Sequence, residues 1–158
     1  MATEQSVVMS FTRVDNLYEI LIDREEITTS LFNGTEKNFR IVLVEACEDN
    51  IEENLNTNGT LNDDKVKYIY GEGSDDGLCA LSWDKGVNLN RVIRVADTMV
   101  SYTLGDASYL LKGAFLVVEG SGVVLAYSIN NGVMPITGYF NVPVDGMIWT
   151  IQSKLNEG

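Results

Sequence analysis

Two cysteines, Cys47 and Cys79, and 23 carboxylate side chains are the groups in this chain with obvious chemistry to offer. Histidine is absent. Its absence removes Ser-His-Asp and Cys-His nucleophile systems and the imidazole ligands of mixed zinc sites. The two cysteines are 32 residues apart, in no CxxC arrangement. They read as buried free thiols acting as small hydrophobes, with a disulfide as the alternative. Paired carboxylates can hydrolyse glycosides when their environments set their pKa values apart. Here the adjacent acids fall in polar turns, where nothing desolvates them. No catalytic, cofactor-binding or metal-ligating residue is assigned, and the chain is expected not to be an enzyme.

Two loops invite a ligand reading and then argue against it. Gly71-Glu72-Gly73-Ser74-Asp75-Asp76-Gly77 has a glycine-rich spacing, but three carboxylates would repel a pyrophosphate, so it reads as a flexible turn. Asn56-Thr57-Asn58-Gly59-Thr60-Leu61-Asn62-Asp63-Asp64 places oxygens at alternate positions, yet lacks the leading aspartate and closing bidentate glutamate of a calcium loop. A solvated loop is the expectation there. Trp83, Trp149 and seven tyrosines raise a third possibility, a lectin-like surface where rings stack on sugar faces.

The elements that would position these residues are strands. Phe39–Val44 is a run of β-branched and aromatic residues, and Asn33-Gly34 before it signals a turn. Val7–Phe11 alternates as a short strand does, whereas Leu17–Ile22 fits a strand or one helical face equally. Val66–Tyr70, Leu78–Trp83 and Arg91–Ala96 read as strands. Further β-rich runs follow at Met99–Leu104, Tyr109–Val118, Val123–Ile129, Val133–Val142 and Met147–Ile151. They are punctuated by Gly105-Asp106, Gly120-Ser121-Gly122, Asn130-Asn131-Gly132 and Asp145-Gly146, of which Gly120–Gly122 and Asn131-Gly132 look like tight hairpin turns. Short strands with turns every 8–12 residues predict an all-β domain, an antiparallel β-sandwich or jelly roll with at most one or two short helices. Glu48–Asp64 interrupts the pattern. Six acids and five asparagines in 17 residues predict a long, mobile acidic surface loop, in which Ile51 and Leu55 can anchor one helical turn.

One domain of 158 residues accommodates all of this. The net charge is −12, and no basic patch offsets it, so neither nucleic acid nor an anionic membrane is an expected partner. The charge is lopsided. Residues 1–80 carry 17 acids against 6 bases, while residues 81–158 carry 6 against 5. Interface cores are depleted of charge, so the second half is expected to supply the contact surface. Its candidates are Tyr102, Tyr109, Phe115, Tyr127, Tyr139, Phe140 and Trp149, of which alternate ones must point inward. No apolar stretch approaches a membrane span, and Met1–Gln5 has no signal-peptide character, so synthesis and folding in a cytoplasm are expected.

The run Tyr109-Leu110-Leu111-Lys112-Gly113-Ala114-Phe115-Leu116-Val117-Val118, followed by Ser121-Gly122-Val123-Val124-Leu125-Ala126-Tyr127-Ser128, resembles small β-rich virion proteins of tailed bacteriophages. The nearest are auxiliary capsid, head-fibre and tail proteins of crAss-like and related phages. The resemblance covers about the last 60 residues (a texture of strands and turns) and has no diagnostic motif. It implies a non-catalytic protein located in the virion, whose partners are other capsid or tail proteins and copies of itself.

Overall fold

A computed structural model describes residues 4–6, 9–14, 33–69, 76–85, 91–95, 99–144 and 148–151, with the backbone alone for 4–6, 83–85, 91–93 and 148–151. Ten strands are described. They are β1 (Glu4–Ser6), β2 (Thr12–Arg13), β3 (Phe39–Ala46), β4 (Lys67–Tyr68), β5 (Leu78–Cys79), β6 (Leu81–Lys85), β7 (Arg91–Val95), β8 (Met99–Val118), β9 (Val124–Pro143) and β10 (Ile148–Ile151). The only helical piece among the described residues is a single 3-10 turn, Ile51–Asn54. The fold is all-β and sandwich-like, as the turn spacing predicts. Leu17–Ile22, Gly71–Asp75, Asp145-Gly146 and the side chains of Trp83 and Trp149 lie outside the described residues.

A seven-stranded sheet runs in the order β1-β9-β8-β3-β4, with β2 also on β9 and β5 also on β3. A second sheet runs β10-β7-β6. All pairings are antiparallel except β1 on β9. The sheets share one core, since Leu81 and Val95 of the smaller sheet are buried in the same cluster as Phe39, Ile41, Leu116 and Phe140.

β8 and β9 correct the expected segmentation. Gly105-Asp106 and Asn131-Gly132 do not reverse the chain. They are bulges inside two 20-residue strands. Leu104–Ala107 lie opposite Gly138 alone, and Asn130–Val133 lie opposite Lys112 alone. Each bulge adds three residues, one on each strand, so Thr103–Tyr139 and Gly113–Ile129 fall in the same register. Gly105 and Gly138 have positive φ, 61° and 73°, whereas Gly132 is not among the positive-φ glycines, which excludes the expected type I′ turn there. Between β8 and β9 it is the Gly120–Gly122 turn that reverses the chain. Gly122 has φ 79° and donates its N–H to Val118 O at 2.7 Å.

The bulges let the ribbon fold back on itself. Leu116 pairs with Ile41 in the ladder. Tyr102, fourteen residues earlier in the same strand, donates its hydroxyl to the Ile41 carbonyl. A straight strand would separate these residues by about 45 Å. Gly77 ties the return together: its carbonyl accepts from Ile41 N–H at 2.8 Å, and its N–H donates to Ser101 O at 3.1 Å. Bulges of this kind bend and re-aim strands at sheet corners.

Candidate functional site

The Glu48–Asp64 segment has a defined fold, unlike the mobile loop its composition suggests. Each of its five asparagines caps or braces backbone. Asn50 caps the 3-10 turn by accepting from Glu52 N–H at 3.0 Å. Asn54, with no exposed surface, accepts from Glu48 N–H at 2.8 Å and donates to the carbonyls of Glu48 and Asn50. Asn56 donates to Thr60 Oγ1 and to Leu61 O, Asn58 accepts from Thr60 N–H and Oγ1, and Asn62 accepts from Asp64 N–H. Short amide side chains of this kind substitute for a backbone ladder. Ile51, Leu55 and Leu61 pack against the core, as the four-residue spacing of Ile51 and Leu55 implies. The segment is a flap, pinned to β9 by a Val124 N–H to Gly59 O bond of 2.9 Å and to β8 by Lys112 Nζ to Asp49 Oδ1 at 2.9 Å. Lys112 also donates to Asn130 O at 2.7 Å, bracing the second bulge. In the stretch considered for calcium, the Asn58 and Asn62 oxygens already accept from backbone N–H groups, and Asp63 Oδ1 accepts from the Tyr68 hydroxyl at 2.6 Å.

Between flap and sheet lies a cleft of about 340 Å³. Arg13 on β2, Val14 and Tyr127 on β9 form its sheet wall. Ile51, Glu52, Leu55, Asn56 and Thr57 form its flap wall. Arg13 and Tyr127 are half-buried, while Glu52 and Thr57 are exposed. Arg40, Lys65, Lys67 and Lys112 each hold a carboxylate. Arg13 holds none among the described residues. The sequence singles out Tyr127 as a contact candidate, Ile51 and Leu55 as anchors and Asn56-Thr57 in the stretch weighed for calcium, but not Arg13, because a lone arginine carries no pattern.

Elsewhere among the described residues, charged side chains tie elements together. Arg40 grips Glu119 with two bonds, Nε to Oε2 at 2.8 Å and Nη2 to Oε1 at 2.9 Å, and donates a third to Asp76 O. The Glu119 hydrogen bond raises the Arg40 pKa further above its ordinary value. Asp76 Oδ2 accepts from Thr103 N–H at 3.0 Å. Together they tie β3, the turn before β5 and the start of β8. Burial pushes the Tyr102 hydroxyl well above the usual phenol range. Cys47 and Cys79 are both free thiols. Burial pushes the Cys47 thiol up to about 11, so at neutral pH it is a protonated hydrophobe and a poor nucleophile. Among the described residues no three His, Cys, Asp or Glu side chains converge as a metal site, and no helix is long and apolar enough to cross a membrane.

The contact candidates separate cleanly. Tyr102, Phe115 and Phe140 are core. Tyr109 and Tyr127 are half-buried, and Tyr139 is 50% exposed. The bulge register places Met99, Ser101, Leu110, Pro135, Thr137 and Tyr139 on one face of the ribbon's outer half, opposite the buried Val100, Tyr102, Leu104 and Ile136. Met99, Leu110 and Tyr139 on that face are exposed by 47%, 50% and 50%, and Val133 in the adjoining bulge by 53%. No other large hydrophobic is exposed among the described side chains.

Comparison with protein-family models, curated proteins and solved structures gives no match to this chain.

Proposed function

We propose that this chain is a non-catalytic structural protein of a tailed-bacteriophage virion, an auxiliary capsid or fibre- or tail-associated component that works through protein–protein contacts. The observation that carries the contact role is the apolar outer face of the folded-back ribbon. Met99, Leu110 and Tyr139 lie on it, with Val133 beside them in the bulge, and all four belong to the near-neutral half of the chain. Asp106 and Lys112 are the only charged side chains between Met99 and Lys112 or between Ile129 and Pro143. The virion setting rests on the resemblance of the Tyr109–Ser128 run.

The size of the apolar face sets what it can contribute. A fully buried large apolar side chain contributes about 1.5–3 kcal/mol. The exposed halves of four such side chains therefore contribute on the order of 3–6 kcal/mol. Association costs an estimated 4–15 kcal/mol. That gain only overlaps the cost, so the face works best as one of several contacts on a repetitive surface.

The test is to purify phage particles through a density gradient and quantify this protein by mass spectrometry beside the major capsid protein. A fixed copy ratio retained across the particle peak is the expected result. Recovery only in the soluble lysate would refute the reading.

A further inference from the structure

We infer that the cleft between the flap and β9 is a binding site for a single neutral sugar ring, such as the terminal pyranose of a glycan. This is independent of the contact role of the ribbon.

Its volume of about 340 Å³ lies at the small end of the roughly 300–1,000 Å³ range of small-molecule sites, which suits one ring better than a long chain. The lining combines an aromatic ring with aliphatic floor residues and several polar groups that still have capacity. Tyr127 is half-buried, and its hydroxyl makes no hydrogen bond among the described residues. Asn56 spends its amide donors on Thr60 and Leu61, which leaves its carbonyl oxygen as an acceptor. Arg13 and Glu52 line the same cleft without forming an ion pair. A half-buried guanidinium that holds no carboxylate among the described residues stands out in a chain with 23 acids and 11 bases.

The charges select the ligand class. Among the described lining residues, Arg13 and Glu52 are the charged ones, one of each sign. An anionic ligand would meet Glu52 and the other acids of the flap, and a cation would meet Arg13. Sugar hydroxyls both donate and accept. One such ligand can therefore donate hydrogen bonds to Glu52 and the Asn56 oxygen and accept them from Arg13, with charge-assisted bonds at both ends. The ring's C–H face can lie against Tyr127. The sequence placed sugar stacking on exposed tryptophans and tyrosines in general. The fold gathers polar partners beside Tyr127 and recruits them from residues 13 and 52–57.

The experiment is a two-dimensional amide and arginine side-chain NMR titration of the full chain. The probes are methyl glycosides of glucose, galactose, mannose and N-acetylglucosamine, with methyl glucuronide and glycylglycine as anionic and bipolar comparators. At least one neutral glycoside should bind with a dissociation constant of about 1 mM, with shifts confined to residues around 13, 51–57 and 127. Arg13→Met, which keeps the aliphatic stem, and Glu52→Gln should each weaken it at least about tenfold without lowering the melting temperature. The inference is overturned by the absence of shifts at about ten times that concentration, by shifts elsewhere on the surface, by insensitivity to both substitutions, or by a stronger response to either comparator.

Discussion

At the scale of single residues, Gly77 and Tyr102 decide whether the long ribbon can close. A Cβ on Gly77 would sit 2.5 Å from Ile41 O and 3.0 Å from the Tyr102 ring, and the residue has φ +84°. The left-handed conformation alone costs a side chain about 1–2 kcal/mol. Gly77→Ala is therefore expected to destabilise by more than that, read as a lowered midpoint in urea. Tyr102→Phe removes the donor to a buried carbonyl and should cost about 1–3 kcal/mol. Alkali provides a second readout. Tyr102 and Cys47 both have pKa values raised by burial, so the folded state favours their protonated forms. That contribution is fully present below pH 9, the ordinary Cys value, and for Cys47 is lost as pH rises from there through about 11. A melting temperature that falls over this window, and falls less in Cys47→Ala, is the expected pattern.

At the scale of elements, the flap and the bulges carry the testable content. Asn54→Ala strips the Glu48 N–H and carbonyl of their amide partner, while Asn50 O keeps the Glu53 N–H. A loss of about 1–3 kcal/mol is expected, with faster amide exchange across residues 48–64 and unchanged protection in β3. The bulge geometry gives a less obvious expectation. Removing Gly105–Ala107 leaves Leu104 opposite Gly138 and restores an unbroken ladder with every flanking pair intact. The shortened protein should keep its strand register, while the corner that brings Tyr102 back to Ile41 is flattened. Cross-strand NOEs of Thr103 with Tyr139 should persist as the Tyr102 contact weakens. These two elements also mark how far the sequence could be read. Phe39–Val44, the Gly120–Gly122 turn and the paired anchors Ile51 and Leu55 were legible, because each rests on local propensity. Gly105-Asp106 and Asn131-Gly132 were legible as departures from a ladder. Whether a departure reverses the strand or only bends it depends on what the next segment pairs with, many residues away. The five flap asparagines look like solvated polarity in a sequence and become structure only once the backbone groups they meet are known. Of the cleft, Tyr127, Ile51, Leu55 and Asn56-Thr57 stood out singly, whereas Arg13 and Glu52 acquire meaning from a juxtaposition across the fold.

At the scale of the molecule, residues 1–80 carry nearly all the net charge, and the ribbon's outer face, which carries little, offers a neighbour little like-charge cost under the proposed contact role. Leu110→Glu and Tyr139→Glu place charge on that face without touching the core. Each should reduce incorporation into particles at least about tenfold if the face is desolvated on docking, since burying an unpaired carboxylate costs more than the 1.4 kcal/mol that a factor of ten represents. Native incorporation should survive high salt, because a neutral face has little screened attraction to lose. The folded-back ribbon has a further consequence, for the order in which the chain assembles. Residues beside the Gly120–Gly122 turn are close in sequence and can zip together early. Met99–Leu104 and Tyr139–Pro143 gain their burial only after the bulges have bent and β3 is in place. The corner thus divides one continuous hairpin into an early and a late half. Val117→Ala should chiefly slow refolding and Val100→Ala chiefly hasten unfolding, so the kinetic boundary would fall inside a strand pair that hydrogen bonding alone presents as a single unit.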